Sequence, residues 1–227
     1  MSLRKVKDLD VDWQFVRHAL PLFGRGLALT LEISFLGILG ATLLGFLVAL
    51  CLFFKPRFLC GFAKGYTELA RNAPLLIQLF FLYYGLHEVG LSLSALACAV
   101  LGVVFLGGAY MAESFLLGLK ALSRVQFESA LSLGLSKWQS LRYILLPQSL
   151  AISLPSLGAN VIFLLKETSV VSAIALADVM FVAKDLIGIY YKTNEALILL
   201  VLSYLVVLLP LSGLFVLLEK HYKQKTC

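Results

Sequence analysis

Five long apolar segments restrict what this chain can fold into. They lie at about residues 26–54, 72–90, 93–119, 148–165 and 196–218, and each is near the roughly 20 residues that a helix needs to cross a bilayer. Only 14% of the residues are charged, against about 25% in a typical soluble domain. The sequence therefore predicts an all-α, polytopic membrane protein with about five transmembrane helices.

Residues 1–25 precede the first apolar segment and carry mixed charge. Apolar side chains between Trp13 and Phe23 recur at helical spacing, which predicts an amphipathic lead-in lying at the membrane interface. The apolar segment that follows is too long for a signal peptide, and no A-x-A-like cleavage site follows it. We interpret it as a retained span that either tilts in the bilayer or projects from it.

Basic residues predict the orientation of the chain. Five spans put the two termini on opposite sides. The side that includes the C-terminal tail would carry eleven of the 19 Lys and Arg residues, against eight on the other. The positive-inside rule then predicts an N-terminus outside and a C-terminus inside. No basic run is interleaved with aromatic residues, so nucleic acid is not an expected partner.

The sequence contains no recognisable catalytic or metal site. The four cysteines form no CxxC pair, and the three histidines are scattered over the lead-in, a turn and the tail. H-E-x-x-H, G-x-S-x-G and Walker A motifs do not occur. We expect no enzyme activity, no metal and no cofactor of its own, so any ATP chemistry must come from a partner subunit.

A polar insert at residues 120–147 separates two apolar segments. Ser123 with Gln126, and Ser136 with Gln139, fit capping boxes that start two helices. A glycine between the helices permits a positive φ, and Pro147 is expected to close the second helix and open the next span. Each helix has an apolar stripe: Phe127, Ala130, Leu131 and Gly134 on the first, and Trp138, Leu141 and Leu145 on the second.

Such a helix–turn–helix has two interpretations. It either docks into a groove of a soluble partner or packs on its own protein as an ordinary loop. The pattern alone does not decide between them.

The insert resembles the EAA loop of permease subunits of bacterial ABC importers. Over residues 128–147 it contains E-S-A, three residues, Gly, nine residues and I-x-L-P, with Ser129 in place of the middle alanine. Three more segments resemble the polar amino-acid permeases, a branch of that family. They are YTELARNAPLLIQLFFLYYGL (66–86), AYMAESFLLGL (109–119) and LLKETSVVSAI (164–174).

The resemblance implies a transmembrane permease domain over residues 26–227, with residues 120–147 as a cytoplasmic coupling loop. It implies a bacterial inner-membrane location, ABC ATPase subunits that bind the ATP, an extracytoplasmic solute-binding protein and a second permease chain, identical or not. A polar amino acid would be the substrate. The coupling residues would be Glu128, Ala130, Leu133, Gly134 and Ser136.

Charged residues in a bilayer are costly and are candidates for function. Glu113 lies in the third apolar segment, and Lys166 and Glu167 end the fourth. The resemblance implies a substrate site of Tyr110, Glu113 and Glu167, with Lys166, Thr168 and Ser169 nearby. Asn160, a polar residue in the fourth apolar segment, needs a polar partner and could also face the substrate cavity. Carboxylates could bind an ammonium group, or Lys166 could simply neutralise Glu167.

Three further features remain open. Arg71 either lines the pathway or gate, or anchors a helix end at the interface. Glu32, in the first span, either reaches water or pairs with Arg25. The loop 168–195 either re-enters the membrane or packs at the outer gate. An ATP-independent carrier or channel remains the alternative function, since it would also suit an intramembrane Glu113.

Overall fold

The structure, a computed structural model, describes residues 11–226. Every regular element in this range is helical. The α-helices are α1 (Trp13–Phe54), α2 (Leu59–Asn72), α3 (Leu75–Phe80), α4 (Leu86–Glu88), α5 (Ala95–Ala121), α6 (Arg124–Ser132), α7 (Lys137–Ser140), α8 (Leu146–Glu167), α9 (Val179–Tyr190) and α10 (Thr193–Thr226). Two π-helical turns, Phe81–Gly85 and Leu141–Leu145, and a 3₁₀ helix, Thr168–Ile174, complete the list.

The all-α membrane fold is confirmed, and the second of the five predicted spans is shorter than expected. Four helical stretches within the described range are long and apolar enough to cross a membrane: Trp13–Phe54, Ala95–Ala121, Lys137–Ile174 and Thr193–Tyr222. The segment predicted at 72–90 is instead a short helical stretch from Leu75 to Glu88. Pro74 explains its start, because a residue before proline is driven from helical to extended backbone, and Ala73 has φ −98° and ψ 122°.

The first helix is longer than predicted. α1 runs without a break for 42 residues, so residues 13–25 form its first turns rather than a separate interfacial helix. Asp12 caps it by accepting the backbone N–H groups of Gln14 and Phe15. At 1.5 Å per residue the helix is roughly 63 Å long, about twice the hydrocarbon thickness. Residues 1–10 of the predicted lead-in lie outside the described residues.

Small residues let α1 and α5 pack closely. A Cβ added to Gly45 would lie 2.8 Å from both the backbone nitrogen of Ala112 and the carbonyl oxygen of Gly108. Ala41, one turn earlier on α1, is fully buried. Lipid tails are as apolar as leucine, so membrane helices associate mainly through such close packing and through interhelical hydrogen bonds.

Interhelical hydrogen bonds join α5 to α8. The hydroxyls of Ser114 and Ser156 lie 2.6 Å apart, and Ser153 Oγ donates to the carbonyl of Ser114 at 2.9 Å. Gly118, one turn further along α5, faces Ser149 and Ser153 with no room for a side chain. We refer to Ser114, Gly118, Ser149, Ser153 and Ser156 as the serine seam.

The loop predicted at 168–195 is an ordered cap on one end of the bundle. α9 packs against α1 and α10, and Val179 N donates to Thr30 Oγ1 at 3.2 Å. Asp178 caps α9, with Oδ1 accepting the N–H of Phe181 at 2.8 Å, and burial raises its pKa to about 6. An ion pair between Lys192 and Asp12, at 3.0 Å, ties the starts of α10 and α1 together.

The serine seam predicts that Gly118→Ala is destabilising. The new methyl group would collide with the Ser153 hydroxyl and the Ser149 carbonyl, so α5 and α8 must separate and lose hydrogen bonds. We expect a loss of about 1–3 kcal/mol, measured as a lower thermal unfolding midpoint in detergent. Gly213→Ala is the control, because nothing lies within 4 Å of its Cβ position. Equal midpoints for the two variants would contradict a tightly packed seam.

Candidate functional site

The insert folds as a helix–turn–helix, as predicted. Ser136 and Gln139 form a complete capping box: Gln139 N donates to Ser136 Oγ at 3.2 Å, and Ser136 N donates to Gln139 Oε1 at 2.8 Å. Ser123 Oγ accepts the N–H of Gln126 at 3.4 Å, but the reciprocal bond from Ser123 N to the Gln126 side chain is not formed, so the first predicted capping box is only half present. Gly134 has φ +83°, a conformation that costs glycine little and other residues much. These local interactions fix where each short helix begins.

The prediction that Pro147 closes the second helix is wrong. The chain is continuously helical from Lys137 to Ile174. A π-helical turn at Leu141–Leu145 immediately precedes the proline, and Leu146 N donates to Leu141 O within it. A π turn changes the hydrogen-bond register, which accommodates a residue that has no N–H to donate. The second arm of the insert is therefore the beginning of a membrane span.

Some apolar side chains of the insert are buried and others are exposed. Leu141 and Leu145 are buried against Leu119, with Phe127 packed beside them. Ala130 is also buried. Trp138, predicted on the same stripe as Leu141, instead faces outward and is 58% exposed. The exposed apolar set of the insert is Val125, Leu131, Leu133, Trp138 and Tyr143, and Leu133 is 81% exposed. We call this set the apolar face.

A second constellation joins α2 and α5. Arg71 Nη1 lies 2.9 Å from Glu113 Oε2, and the Arg71 guanidinium lies over the Tyr110 ring, 5.6 Å from its centroid. The ring of Phe163 on α8 contacts Tyr110, with centroids 5.1 Å apart. The Arg71 and Glu113 side chains are 40% and 55% exposed, so the pair is open to a ligand. Three predicted residues, Arg71, Tyr110 and Glu113, are thus brought together.

Gln78 holds the turn that positions Arg71. Its side-chain amide donates to the carbonyls of Ala70 at 3.1 Å and Ala73 at 2.9 Å. The last carbonyls of a helix have no intrahelical partner, and these two lie where α2 ends. Gln78 was not among the residues predicted from the sequence, although a glutamine within an apolar segment is itself a signal of a buried polar role.

Tyr66 fixes the other part of α2. Its hydroxyl donates to the carbonyl of Phe105 at 2.7 Å, and Gly108 leaves the space that this hydroxyl occupies. Burial raises the pKa of Tyr66, so it remains a donor. Tyr66 holds α2 against α5, and Gln78 on α3 holds the end of α2, with Arg71 between them in sequence.

Asn160 lies between α8 and α5, and its side chain contacts the part of α5 that carries Tyr110. Its Nδ2 donates to the Tyr110 carbonyl at 3.1 Å and to Ser114 Oγ at 2.8 Å. Both donor hydrogens of the amide are therefore used in joining α8 to α5. Asn160 supports the backbone that carries Tyr110.

The remaining predicted site residues lie about two helical turns beyond Asn160, at the end of α8. Lys166 is exposed, Glu167 and Ser169 are half-buried, and Thr168 is buried with its hydroxyl donating to Leu165 O at 2.7 Å. The structure gives no ion pair between Lys166 and Glu167 within residues 11–226, and none between Glu32 and Arg25. No hydrogen bond or ion pair in that range joins this group to Glu113, so the predicted site divides into two levels.

Comparison with known proteins identifies the family. Residues 41–224 match the family described as "Binding-protein-dependent transport system inner membrane component". The chain belongs to this family. The matched residues include most of the described structure, with the insert, the serine seam and the Arg71–Glu113 pair.

Individual relatives agree along nearly their whole length. The chain is similar to the probable amino-acid ABC transporter permease protein YckA of Bacillus subtilis, with 31% identity over 93% of this chain and 96% of YckA. It is 30% identical to the glutamine transport system permease protein GlnP of Escherichia coli, over 95% and 99% of the two chains. A crystal structure of an amino acid ABC transporter with histidines matches with a TM-score of 0.85 and 33% identity, over 93% and 99%.

The role of Gln78 can be tested by Gln78→Leu. The substitution keeps an extended side chain but leaves the carbonyls of Ala70 and Ala73 without a donor, which should cost about 1–3 kcal/mol. We expect a lower unfolding midpoint in detergent. Gln148→Leu is a matched control, since Gln148 makes one local hydrogen bond, to Ile144 O at 2.9 Å. A Gln78 variant as stable as this control would argue against the clamp.

Proposed function

We propose that this chain is the transmembrane permease subunit of an ATP-binding-cassette importer for polar amino acids in a bacterial inner membrane. Family membership and the names of the relatives support transport of amino acids. The observation that carries the proposal is the insert, which presents an apolar face to its surroundings and is helically continuous with a span. Exposed apolar surface on a polar, folded loop is typical of a site that another molecule covers.

The partner that fits the apolar face is an ABC ATPase. The insert would seat in a cleft of that subunit, with Leu133 and Trp138 as its apolar contacts. Gly134 sets the turn, Ser136 starts the second arm, and Ala130 anchors the first arm to the permease; Glu128 lies exposed on that arm. ATP would be bound and hydrolysed by the partner, so the permease itself is not an enzyme and needs no cofactor.

The Arg71–Glu113 pair is suited to an amino acid. The substrate has an ammonium and a carboxylate, and this pair offers one charge of each sign beside the face of Tyr110. A substrate would open the ion pair, placing its carboxylate on Arg71 and its ammonium on Glu113. Glu167 and Lys166, with Thr168 and Ser169 beside them, would form a second level along the pathway.

The remaining partners follow from alternating access. Movement of the ATPase subunits would be carried by the insert to the spans, which expose the pathway to each side in turn. A second permease chain, identical or not, would complete the pathway. An extracytoplasmic solute-binding protein would deliver substrate at the end capped by α9, with the N-terminus outside and the C-terminus inside.

The alternative function is an ATP-independent carrier or channel. An intramembrane ion pair suits that function equally well, but the apolar face then has no purpose. Co-purification of an ATPase distinguishes the two proposals.

The docking role predicts that Leu133→Asp releases the ATPase. Leu133 is 81% exposed, so the change removes no internal packing but places a charge in the proposed contact. Mass spectrometry of the tagged chain, purified in mild detergent from its native host, should show ATPase recovery reduced by roughly tenfold or more. Leu91→Asp is the control, because Leu91 is also exposed and lies at the opposite end of α5. Full ATPase recovery with Leu133→Asp would oppose docking at this face.

The substrate role predicts that Glu113→Gln impairs uptake. Glutamine keeps the size of the side chain but cannot pair with an ammonium as an anion, so amino-acid uptake into reconstituted vesicles should fall by roughly tenfold or more. Glu32→Gln should have little effect, because Glu32 is exposed on α1 and has no ion-pair partner in the described range. Recovery of the complex is measured for both variants. Normal uptake by the Glu113 variant would show that Glu113 has no role in binding the substrate.

A further inference from the structure

A cavity of about 380 Å³ lies at the end of the bundle that carries the insert. It is enclosed by the last turn of α1, the last turn of α5 and the two arms of the insert. Its volume falls within the range of small-molecule sites, roughly 300–1,000 Å³. Neither the substrate pathway nor the apolar face includes it.

The cavity is strongly basic. Lys55, Lys120 and Lys137 line it, and no acidic residue is among its lining residues. The two ion pairs formed by described residues are Arg71–Glu113 and Lys192–Asp12, so none of the three lysines is neutralised within residues 11–226. Three like charges around one space repel one another unless an anion lies between them.

The three lysines lie on three separate elements of the fold. Lys55 follows α1 in a left-handed conformation, with φ 51°, and its N–H donates to Cys51 O at 3.0 Å. Few non-glycine residues adopt a positive φ. Lys120 lies in the last turn of α5, and Lys137 is the first residue of α7. The convergence therefore depends on the folded insert and is not a run of basic residues in sequence.

The floor of the cavity is apolar. It includes Leu52, Leu119 and Leu145, and the Phe53 ring lies between those of Phe54 and Phe127, at 5.3 and 6.3 Å. α5 is 27 residues long, close to the length needed to cross a bilayer, and its last turn lines the cavity, which places the cavity near the edge of the bilayer. The site thus combines positive charge with an apolar wall on the membrane side. A free phosphate would use only the charge, whereas a phospholipid would use both.

We infer that this cavity binds the phosphate headgroup of an anionic phospholipid. The three lysines would surround the phosphate, and the glycerol and upper acyl chains would lie on the phenylalanine floor. Basic pockets between helices at this depth suit anionic headgroups. The inference goes beyond the proposed function and needs it only to assign the cavity to the cytoplasmic leaflet. Because Lys137 belongs to the insert, the bound lipid would join the insert to the ends of α1 and α5.

The test compares a variant that lacks the three cavity lysines with a control variant that lacks three basic residues nearby. The cavity variant is Lys55→Gln, Lys120→Gln and Lys137→Gln. The control is Arg57→Gln, Lys64→Gln and Arg142→Gln, which removes the same charge from the part of the bundle around the insert without altering a lining residue. Each full chain is purified with its accompanying subunits and placed in nanodiscs of equal phosphatidylglycerol and phosphatidylcholine. Native mass spectrometry then counts the lipids retained, and thermal unfolding checks the fold.

We expect phosphatidylglycerol to be enriched on the unmodified chain and on the control, and to fall by roughly tenfold on the cavity variant. Added inorganic phosphate should not displace it. Three results would overturn the inference: equal retention by the cavity variant, equal loss by the control, or displacement by free phosphate, which would indicate a simple ion site. Loss of the ATPase with lipid retained would show that the lysines contact a protein instead. None of these readouts requires transport, so failure here is distinguishable from failure of the proposed function.

Discussion

The close contact of α1, α5 and α8 is the interaction on which the rest of the structure depends. In a membrane, apolar side chains gain little by leaving lipid for protein, so helices associate where their backbones can approach. Gly45 and Gly118 provide that approach on two sides of α5. Hydroxyl groups of the serine seam then form hydrogen bonds between α5 and α8, which would be too far apart if Gly118 carried a side chain. α5 consequently becomes the fixed element against which the shorter helices are placed.

The Arg71–Glu113 pair illustrates how that placement works. Pro74 ends α2, Gln78 satisfies the carbonyls that this ending leaves free, and Arg71 in the last turn of α2 then reaches α5. Asn160 binds the backbone of α5 from the opposite side. The proposed substrate site therefore depends on residues that never touch the substrate, and a change at Gln78 would alter the site without altering its charges.

Local chemistry explains which features the sequence predicted well. The caps at Ser123 and Ser136 and the turn at Gly134 depend on residues within a few positions of one another, and all three are observed. The site was predicted less completely. Glu113 was identified as an unusual charge, but its pairing with Arg71 joins residues that are distant in sequence and depends on how α2 is packed. The π turn before Pro147 was missed because helical periodicity assumes a constant register.

The unbroken helix from Lys137 to Ile174 has a mechanical consequence. Thirty-eight residues in one helix extend over roughly 57 Å, so a tilt of about 5° at one end displaces the other by roughly 5 Å. A flexible linker between the insert and the span would absorb such a tilt, and a helix break at Pro147 would have provided one. The π turn keeps the two parts in one continuous helix, and the serine seam joins that helix to α5 between Ser149 and Ser156. A movement of the helix at Trp138 therefore also moves its far end, at the level of Glu167.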